Sequence, residues 1–410
     1  VNSSSIARQP LPSDISAGSG ISETTGTSLC TRNLKNLNLA RSYSPTLSGG
    51  KIKYNGRVTD WSVRPAATRC GFLSRIAATF GTASVAFQAR ISETIGTTPL
   101  VRLNRVAGES GATVLAKLEY FSPAGGVKAR AALAMIDQAE RDGTLQPGGT
   151  IVEASSGNTG FALAMLAAER GYSVIIVCTD KVPTDKTDVL EAFGARIVTA
   201  PADAPFDSPD HWLNMARCIA DETEGAIFVD QFFNQANPEA HYLTTGPEIW
   251  EQTDGRVSVF VAGAATGGTI TGCARYLKEQ DPSIEVVMAD PVGSIYKTYH
   301  ETGQIIDAAP YFLEAVGQDA PFIPEALDPK LVDRVVCVTD EEAFLMTRRM
   351  CREEGIFCGG SSGAIVSVAV EVAHQLSRED IVVAIVPDGG DRYLSRVYSD
   401  EWLSRNVTPS

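Results

Sequence analysis

From Ile91 onward the chain alternates between short apolar runs and longer stretches of helical period. The strand-like runs are Val114–Leu118, Thr150–Glu153, Ser173–Cys178, Arg196–Thr199, Ala226–Val229, Val257–Val261, Ile284–Ala289, Val335–Val338 and Ile381–Val386. Between most of them lie helix-like segments: Ala131–Asp142, Thr159–Arg170, Lys186–Phe193, His211–Glu224, Pro238–Glu251, Thr269–Glu279, Asp340–Glu354 and Gly363–Leu376. Near-continuous apolar strands separated by helices predict an α/β fold with mostly parallel sheets. Upstream the pattern stops. Residues 1–50 are rich in Ser, Thr, Gly and Asn and poor in acids, which predicts a disordered or extended segment. Residues 51–90 mix basic and apolar side chains, with a short helix expected over Leu73–Phe80. The chain thus divides into an irregular N-terminal extension, 1–85, and a folded body, 86–410.

Charge sharpens that division. The extension carries 10 Lys/Arg against 3 Asp/Glu, a balance of +7, so the body must carry −21 to give the net charge of −14. An acidic body argues against general nucleic-acid binding. No run reaches about 18 apolar residues, so no membrane span is expected. A Ser/Arg-rich, acid-poor extension resembles an organelle transit peptide (mitochondrion or plastid), the alternative being a cytoplasmic chain. Because the chain begins at Val1, the extension also reads as an arm retained after processing, able to recruit a larger protein assembly. Trp61, Phe72, Ile76 and Phe80 are its expected anchors. The 8 cysteines are scattered without a C-x-x-C pair, and the 4 histidines show no ligand spacing with them. They read as reduced thiols, and no metal site is expected.

Four loops carry candidate chemistry. Ser122–Arg130 places Lys128 at a Gly-rich junction between a strand and a helix. A lysine desolvated there, its pKa lowered, can condense with an aldehyde. Alone such a lysine is more often solvated. Ser155-Ser156-Gly157-Asn158-Thr159-Gly160 opens the next helix with a small, hydroxyl-rich turn suited to a carboxylate. Ala265-Thr266-Gly267-Gly268-Thr269-Ile270-Thr271-Gly272 opens another and offers backbone and hydroxyl donors to a phosphate. Gly359-Gly360-Ser361-Ser362-Gly363-Ala364 can set a hydroxyl against a ring nitrogen. Asp180-Lys181 and Asp185-Lys186 read as a solvated turn. Tyr296 and Tyr299 read equally as site-lining or packing residues, and Asp388 as a loop-anchoring carboxylate.

With Ile95-Gly96-Thr97-Thr98-Pro99-Leu100 and Pro387-Asp388-Gly389-Gly390-Asp391-Arg392-Tyr393, these loops give Ile91–Leu403 a pattern that resembles the fold type II pyridoxal-phosphate (PLP) enzymes. That fold is tryptophan synthase β-like, with two α/β domains. Within the group the chain is similar to the cystathionine β-synthase and cysteine synthase (O-acetylserine sulfhydrylase) family. Phe206-Asp207-Ser208-Pro209 and the segment from Asn237 to His241-Tyr242 lean toward the former. The resemblance implies PLP held by Lys128 as an internal aldimine. Asn158 would bond the ring oxygen, Thr266, Gly267, Gly268 and Thr269 the phosphate, and Ser361 would face the pyridine nitrogen. Ser155, Ser156 and Thr159 would bind the substrate carboxylate, with Gln231 closing over it. It further implies a homodimer and a smaller mobile subdomain around 122–232. Some family members hold haem on an N-terminal extension through Cys and His. This extension has Cys30 and Cys70 but no His, so no haem is expected, and with only a short tail after Leu403 no C-terminal regulatory pair is expected either.

The implied reaction is β-replacement. Serine, O-acetylserine or a related amino acid loses its β substituent to give an aminoacrylate, and a thiol or sulfide adds. Departures from the family pattern put its efficiency in question. Ser122 stands for Asn, Ala124 for Gly, Gly126 for Ser, Ala129 for Asp, Ala265 for Gly, Gly389 for Ser and Phe232 for Tyr. Two other readings therefore stay open. One is β-elimination, as in a dehydratase or desulfhydrase. The other is a weakly active or inactive member recruited as an assembly subunit through residues 1–85.

Overall fold

A computed structural model describes residues 87–407 apart from Ser156, together with the strands of a hairpin at 51–60. In the hairpin Lys51–Tyr54 (β1) pairs antiparallel with Arg57–Asp60 (β2). Sequence reasoning missed it, although Asn55-Gly56 between alternating residues is a strong hairpin signal. The expected helix at Leu73–Phe80 and the four expected anchors lie outside the described residues. The chain divides after Ser84 into two units, and the second, Val85–Ser410, holds all four candidate loops.

This second unit is built on two sheets. The larger has six strands: Leu100–Arg102 (β3), Thr113–Leu118 (β4), Val259–Gly263 (β9), Glu285–Pro291 (β10), Arg334–Val338 (β11) and Ile381–Val386 (β12). Their order is β11-β10-β9-β12-β4-β3. All pairs are parallel except β3 with β4. The strands of the smaller sheet are Thr150–Ala154 (β5), Ser173–Thr179 (β6), Arg196–Ala200 (β7) and Ala226–Phe228 (β8). It is fully parallel, in the order β7-β6-β5-β8. Every residue of β12 is buried, as are most of β6 and β10. Helices cover both faces of such strands, which is why they read as unbroken apolar runs.

The chain crosses from the large sheet to the small one after β4 and returns after β8. The helix Lys128–Arg141 (α1) lies on the first crossing. Asn158–Arg170 (α2) follows β5, Gly268–Gln280 follows β9, and Gly360–Ala373 precedes β12. The candidate loops at 122–127, 155–157 and 264–267 follow the C-terminal ends of parallel strands, where open α/β sheets bind ligands, whereas the fourth, Gly359–Ala364, follows the helical turn Met350–Glu354 instead of a strand.

One expected helix is two. Pro238–Glu251 divides into Ala236–Leu243 and Thr245–Gln252, with Thr244 out of helical geometry (φ −129°, ψ −67°). The break moves Pro247 into a first turn, where its missing N–H costs nothing.

Candidate active site

The Lys128 loop lies against the loop after β12. Gly126 bridges Asp388, and Val127 N–H donates to Pro387 O at 2.8 Å. Lys128 opens onto a narrow cleft that is also lined by Ala265, Thr266, Gly267, Thr269 and Ala315. Burial lowers the pKa of its amine, and the Asp388 charge only partly opposes this. A lowered pKa gives the amine a larger unprotonated fraction, the form that attacks a carbonyl.

Across the cleft, Gly267 adopts a left-handed φ of 83° at the start of the helix Gly268–Gln280. Thr266 is buried, and its Oγ1 accepts from Asn237 Nδ2 at 3.0 Å and from Gly268 N–H at 3.3 Å. Thr269 Oγ1 meets His241 Nε2 at 3.2 Å. Tyr296, left open between site-lining and packing roles, is buried and donates its hydroxyl to Ala265 O at 2.6 Å. It braces the loop from beneath. Hydroxyls and N–H groups at a helix start make an anion site.

Ser361 lies in the first turn of Gly360–Ala373, 1% exposed, and its Oγ has no hydrogen-bond partner in the structure. A buried hydroxyl without a partner costs about 1–3 kcal/mol, so a ring nitrogen set against it would relieve a standing penalty. A lysine of lowered pKa, a phosphate cradle and an orphaned hydroxyl together fit pyridoxal phosphate. Asn158 is engaged differently. Its Nδ2 donates to Asp388 Oδ2 at 2.6 Å, and its Oδ1 accepts from Arg392. Asp388 also accepts from Tyr393 OH at 2.6 Å, so this carboxylate does anchor its surroundings. Burial raises its pKa, against the Tyr393 and Asn158 hydrogen bonds and the charges of Arg392 and Lys128.

The side expected to hold a substrate carboxylate is drawn together as well. Thr159 Oγ1 donates to Gln231 Oε1 at 2.6 Å, and Gln231 Nε2 donates to Ala154 O at 3.2 Å. Ser155 Oγ accepts from Gly160 N–H at 3.1 Å. Ser156 lies outside the described residues. Beneath this loop, Glu153 is fully buried and accepts from the Gln231 N–H at 3.3 Å. Burial, then the Asp230 charge, pushes its carboxyl up to about 8.

Sequence reasoning missed Asn237 and His241 as parts of this site, and one further cluster. Arg130, two residues after Lys128, bonds Glu119 Oε2 at 2.7 Å and Glu248 Oε1 at 2.6 Å. Lys117, fully buried, bonds Glu248 Oε2 at 2.6 Å and Thr98 O at 2.8 Å. Lys186 corrects the reading of a solvated turn, because its Nζ reaches Glu314 Oε2 at 2.5 Å with only 11% of the side chain exposed. Among the departures, Ala124 takes a left-handed φ of 64°, a conformation a non-glycine residue rarely holds. Phe232 packs edge-on to Trp212 and Phe322.

The comparisons with known proteins agree with this geometry. Residues 91–388 match the family described as pyridoxal-phosphate dependent enzyme. Cystathionine beta-synthase of Oryctolagus cuniculus is 45% identical over 284 residues, covering 69% of this chain and 51% of that protein. The Saccharomyces cerevisiae protein of the same name is 39% identical over 295 residues, covering 70% of this chain and 58% of that one. The chain thus spans about half the length of these curated relatives. The crystal structure of O-ureido-L-serine synthase superposes with a TM-score of 0.70 at 35% identity, covering 78% of this chain and 100% of that one. The chain belongs to the pyridoxal-phosphate dependent enzymes, and pyridoxal phosphate is its cofactor.

Proposed function

We propose that the protein catalyses β-replacement on serine, O-acetylserine or a related amino acid, with a thiol or sulfide as the incoming nucleophile. The observation that carries this reading is Ser361. A hydroxyl, unlike a carboxylate, does not hold a proton on the pyridine nitrogen, and this favours chemistry at the β carbon over transamination. Bound PLP supplies the electron sink for deprotonation at the α carbon. Lys128 holds the cofactor and then takes the α proton as general base, a task its lowered pKa suits. Thr266 to Thr269 hold the phosphate. Ser155, Ser156 and Thr159 orient the substrate carboxylate, and Gln231 covers it. With serine the leaving group departs as water, and with O-acetylserine as acetate. The thiol or sulfide supplies the electron pair for the new C–S bond and gives up its proton.

The body at 86–410 carries this chemistry, with 122–232 as the smaller moving part. The carboxylate loop belongs to the small sheet, and polar ties such as Asn158–Asp388 and Lys186–Glu314 join its helices to loops of the large one. Homodimer formation and an organelle address belong to the same proposal. A second reading, a recruited assembly subunit, is favoured by the apolar or absent side chains at Ala129 and Gly126. The test is product analysis of the purified chain with serine, O-acetylserine and cysteine, each with and without sulfide or homocysteine. β-Replacement predicts a thioether or thiol amino acid that depends on the added nucleophile. Keto acid and ammonia regardless of nucleophile would mean β-elimination, and no turnover of any substrate would favour the recruited subunit.

A further inference from the structure

The two threonines of the cradle are held from behind by one short helix. Ala236–Leu243 carries Asn237 and His241 four residues apart, hence on one face. Asn237 is 2% exposed and His241 0%. The approach of this helix to the cradle helix depends on missing side chains. A Cβ at Gly268 would lie 2.1 Å from Asn237 Oδ1, and one at Gly272 would lie 2.1 Å from Pro238 O and 2.7 Å from His241 Cβ.

The hydrogen bonds across this contact have a direction. Thr266 Oγ1 accepts from Asn237 Nδ2 at 3.0 Å and from Gly268 N–H at 3.3 Å. A hydroxyl oxygen has two lone pairs. Both are filled from inside, so the Thr266 proton is left for another acceptor. Asn237 is itself fixed, since its Nδ2 also donates to Gln231 O at 2.9 Å. His241 Nε2 lies 3.2 Å from Thr269 Oγ1, and its Nδ1 lies 2.8 Å from Thr245 Oγ1. Burial, reinforced by the Arg130 and Lys128 charges, keeps this imidazole neutral. A neutral imidazole has one donor and one acceptor. A cradle that binds an anion needs the Thr269 proton free. The order that frees it has the Thr245 hydroxyl donate to Nδ1 and the Nε2 proton go to Thr269 Oγ1.

We propose that Asn237 and His241 are positioning residues that aim the Thr266 and Thr269 hydroxyl protons at a phosphate monoester, and so set the preference of the pocket for the phosphorylated cofactor over the unphosphorylated one. The proposal rests on the pyridoxal-phosphate reading and adds which residues make the phosphate count. Both ligands share the ring and the aldehyde. A residue that acts only through the phosphate must therefore change the affinity for one and not the other.

The test is a titration of the full chain, stripped of cofactor, with PLP and with pyridoxal, in the parent and in His241→Leu, Asn237→Leu and His241→Gln. The parent should prefer PLP. The two leucine variants should each lose about tenfold or more of that preference, with pyridoxal affinity changed by less than about twofold. His241→Gln, which keeps a donor near the Nε2 position, should recover most of it. The ³¹P resonance of bound PLP should be insensitive to pH in the parent and titrate in the leucine variants. Variants that keep the parental ratio, or that lose both ligands equally, overturn the proposal while leaving the cofactor reading intact. A parent that binds neither ligand overturns the cofactor reading itself and this proposal with it.

Discussion

At the scale of single residues, the site divides by how far apart in sequence its partners lie. Lys128 and the threonines of 266–269 were legible because each sits in a local pattern of glycines and hydroxyls between a strand and a helix. Asn237 and His241 were not, because each meets its threonine across 29 and 28 residues of chain and only the close packing of two helices joins them. Asp388 was legible as an anchor, though not as a neighbour of Lys128, 260 positions earlier in the chain. The Ser361 hydroxyl offers a test at this scale. Without cofactor it is a buried group with no partner, so Ser361→Ala should leave stability unchanged or raise it by about 1 kcal/mol. With PLP present the same change should weaken binding. Thermal unfolding with and without PLP reads both effects, and a variant destabilised without cofactor would show that the hydroxyl has a structural partner.

At the scale of elements, the apolar runs predicted the long parallel strands and most helices, because burial on both faces leaves a plain signal in the chain. What escaped lacked that signal. Leu100–Arg102 is a three-residue antiparallel strand at a sheet edge, partly exposed along its length. Asp400–Asn406 buries no residue fully. The polar cluster that ties β4, α1 and Thr245–Gln252 together was hidden for the same reason as His241, since Lys117 and Arg130 reach Glu248 across 131 and 118 residues. Burial alone would raise the Glu248 carboxyl, but the hydrogen bonds and charge of Arg130, then Lys117, bring it down to about 2. Its stabilising contribution is therefore whole above its ordinary value of about 4.5 and is lost as pH falls toward 2. Glu248→Ala leaves two buried cations short of a partner and should cost about 3–5 kcal/mol near neutral pH. Urea unfolding should show the gap between parent and variant shrinking below about pH 4.5. A gap constant across pH would place the effect in packing alone.

At the scale of the whole molecule, the crossing of the chain between two sheets explains how the site is made. Lys128 lies on the first crossing, the loop at 155–157 follows a small-sheet strand, and the loop at 264–267 follows a large-sheet strand. No single segment holds the chemistry, and the sequence order of the loops alone does not show that they converge. What the sequence did show was their count and, for three of the four, their position at strand ends; Gly359–Ala364 follows a helix instead. Ion pairs such as Lys186–Glu314 were invisible because charged residues in a turn look solvated until another segment covers them. Among the described residues no helix is long and apolar enough to cross a membrane.

Every role proposed for the site depends on PLP being bound covalently through Lys128. The measurement that bears on it is borohydride reduction of the purified protein, followed by peptide mass spectrometry and a visible spectrum taken before reduction. The protein should be yellow, its visible band should disappear on reduction, the pyridoxyl mass should lie on the peptide that contains Lys128, and a Lys128→Ala variant should be colourless. A protein that stays colourless after incubation with PLP, or that carries the pyridoxyl group on another lysine, would contradict it.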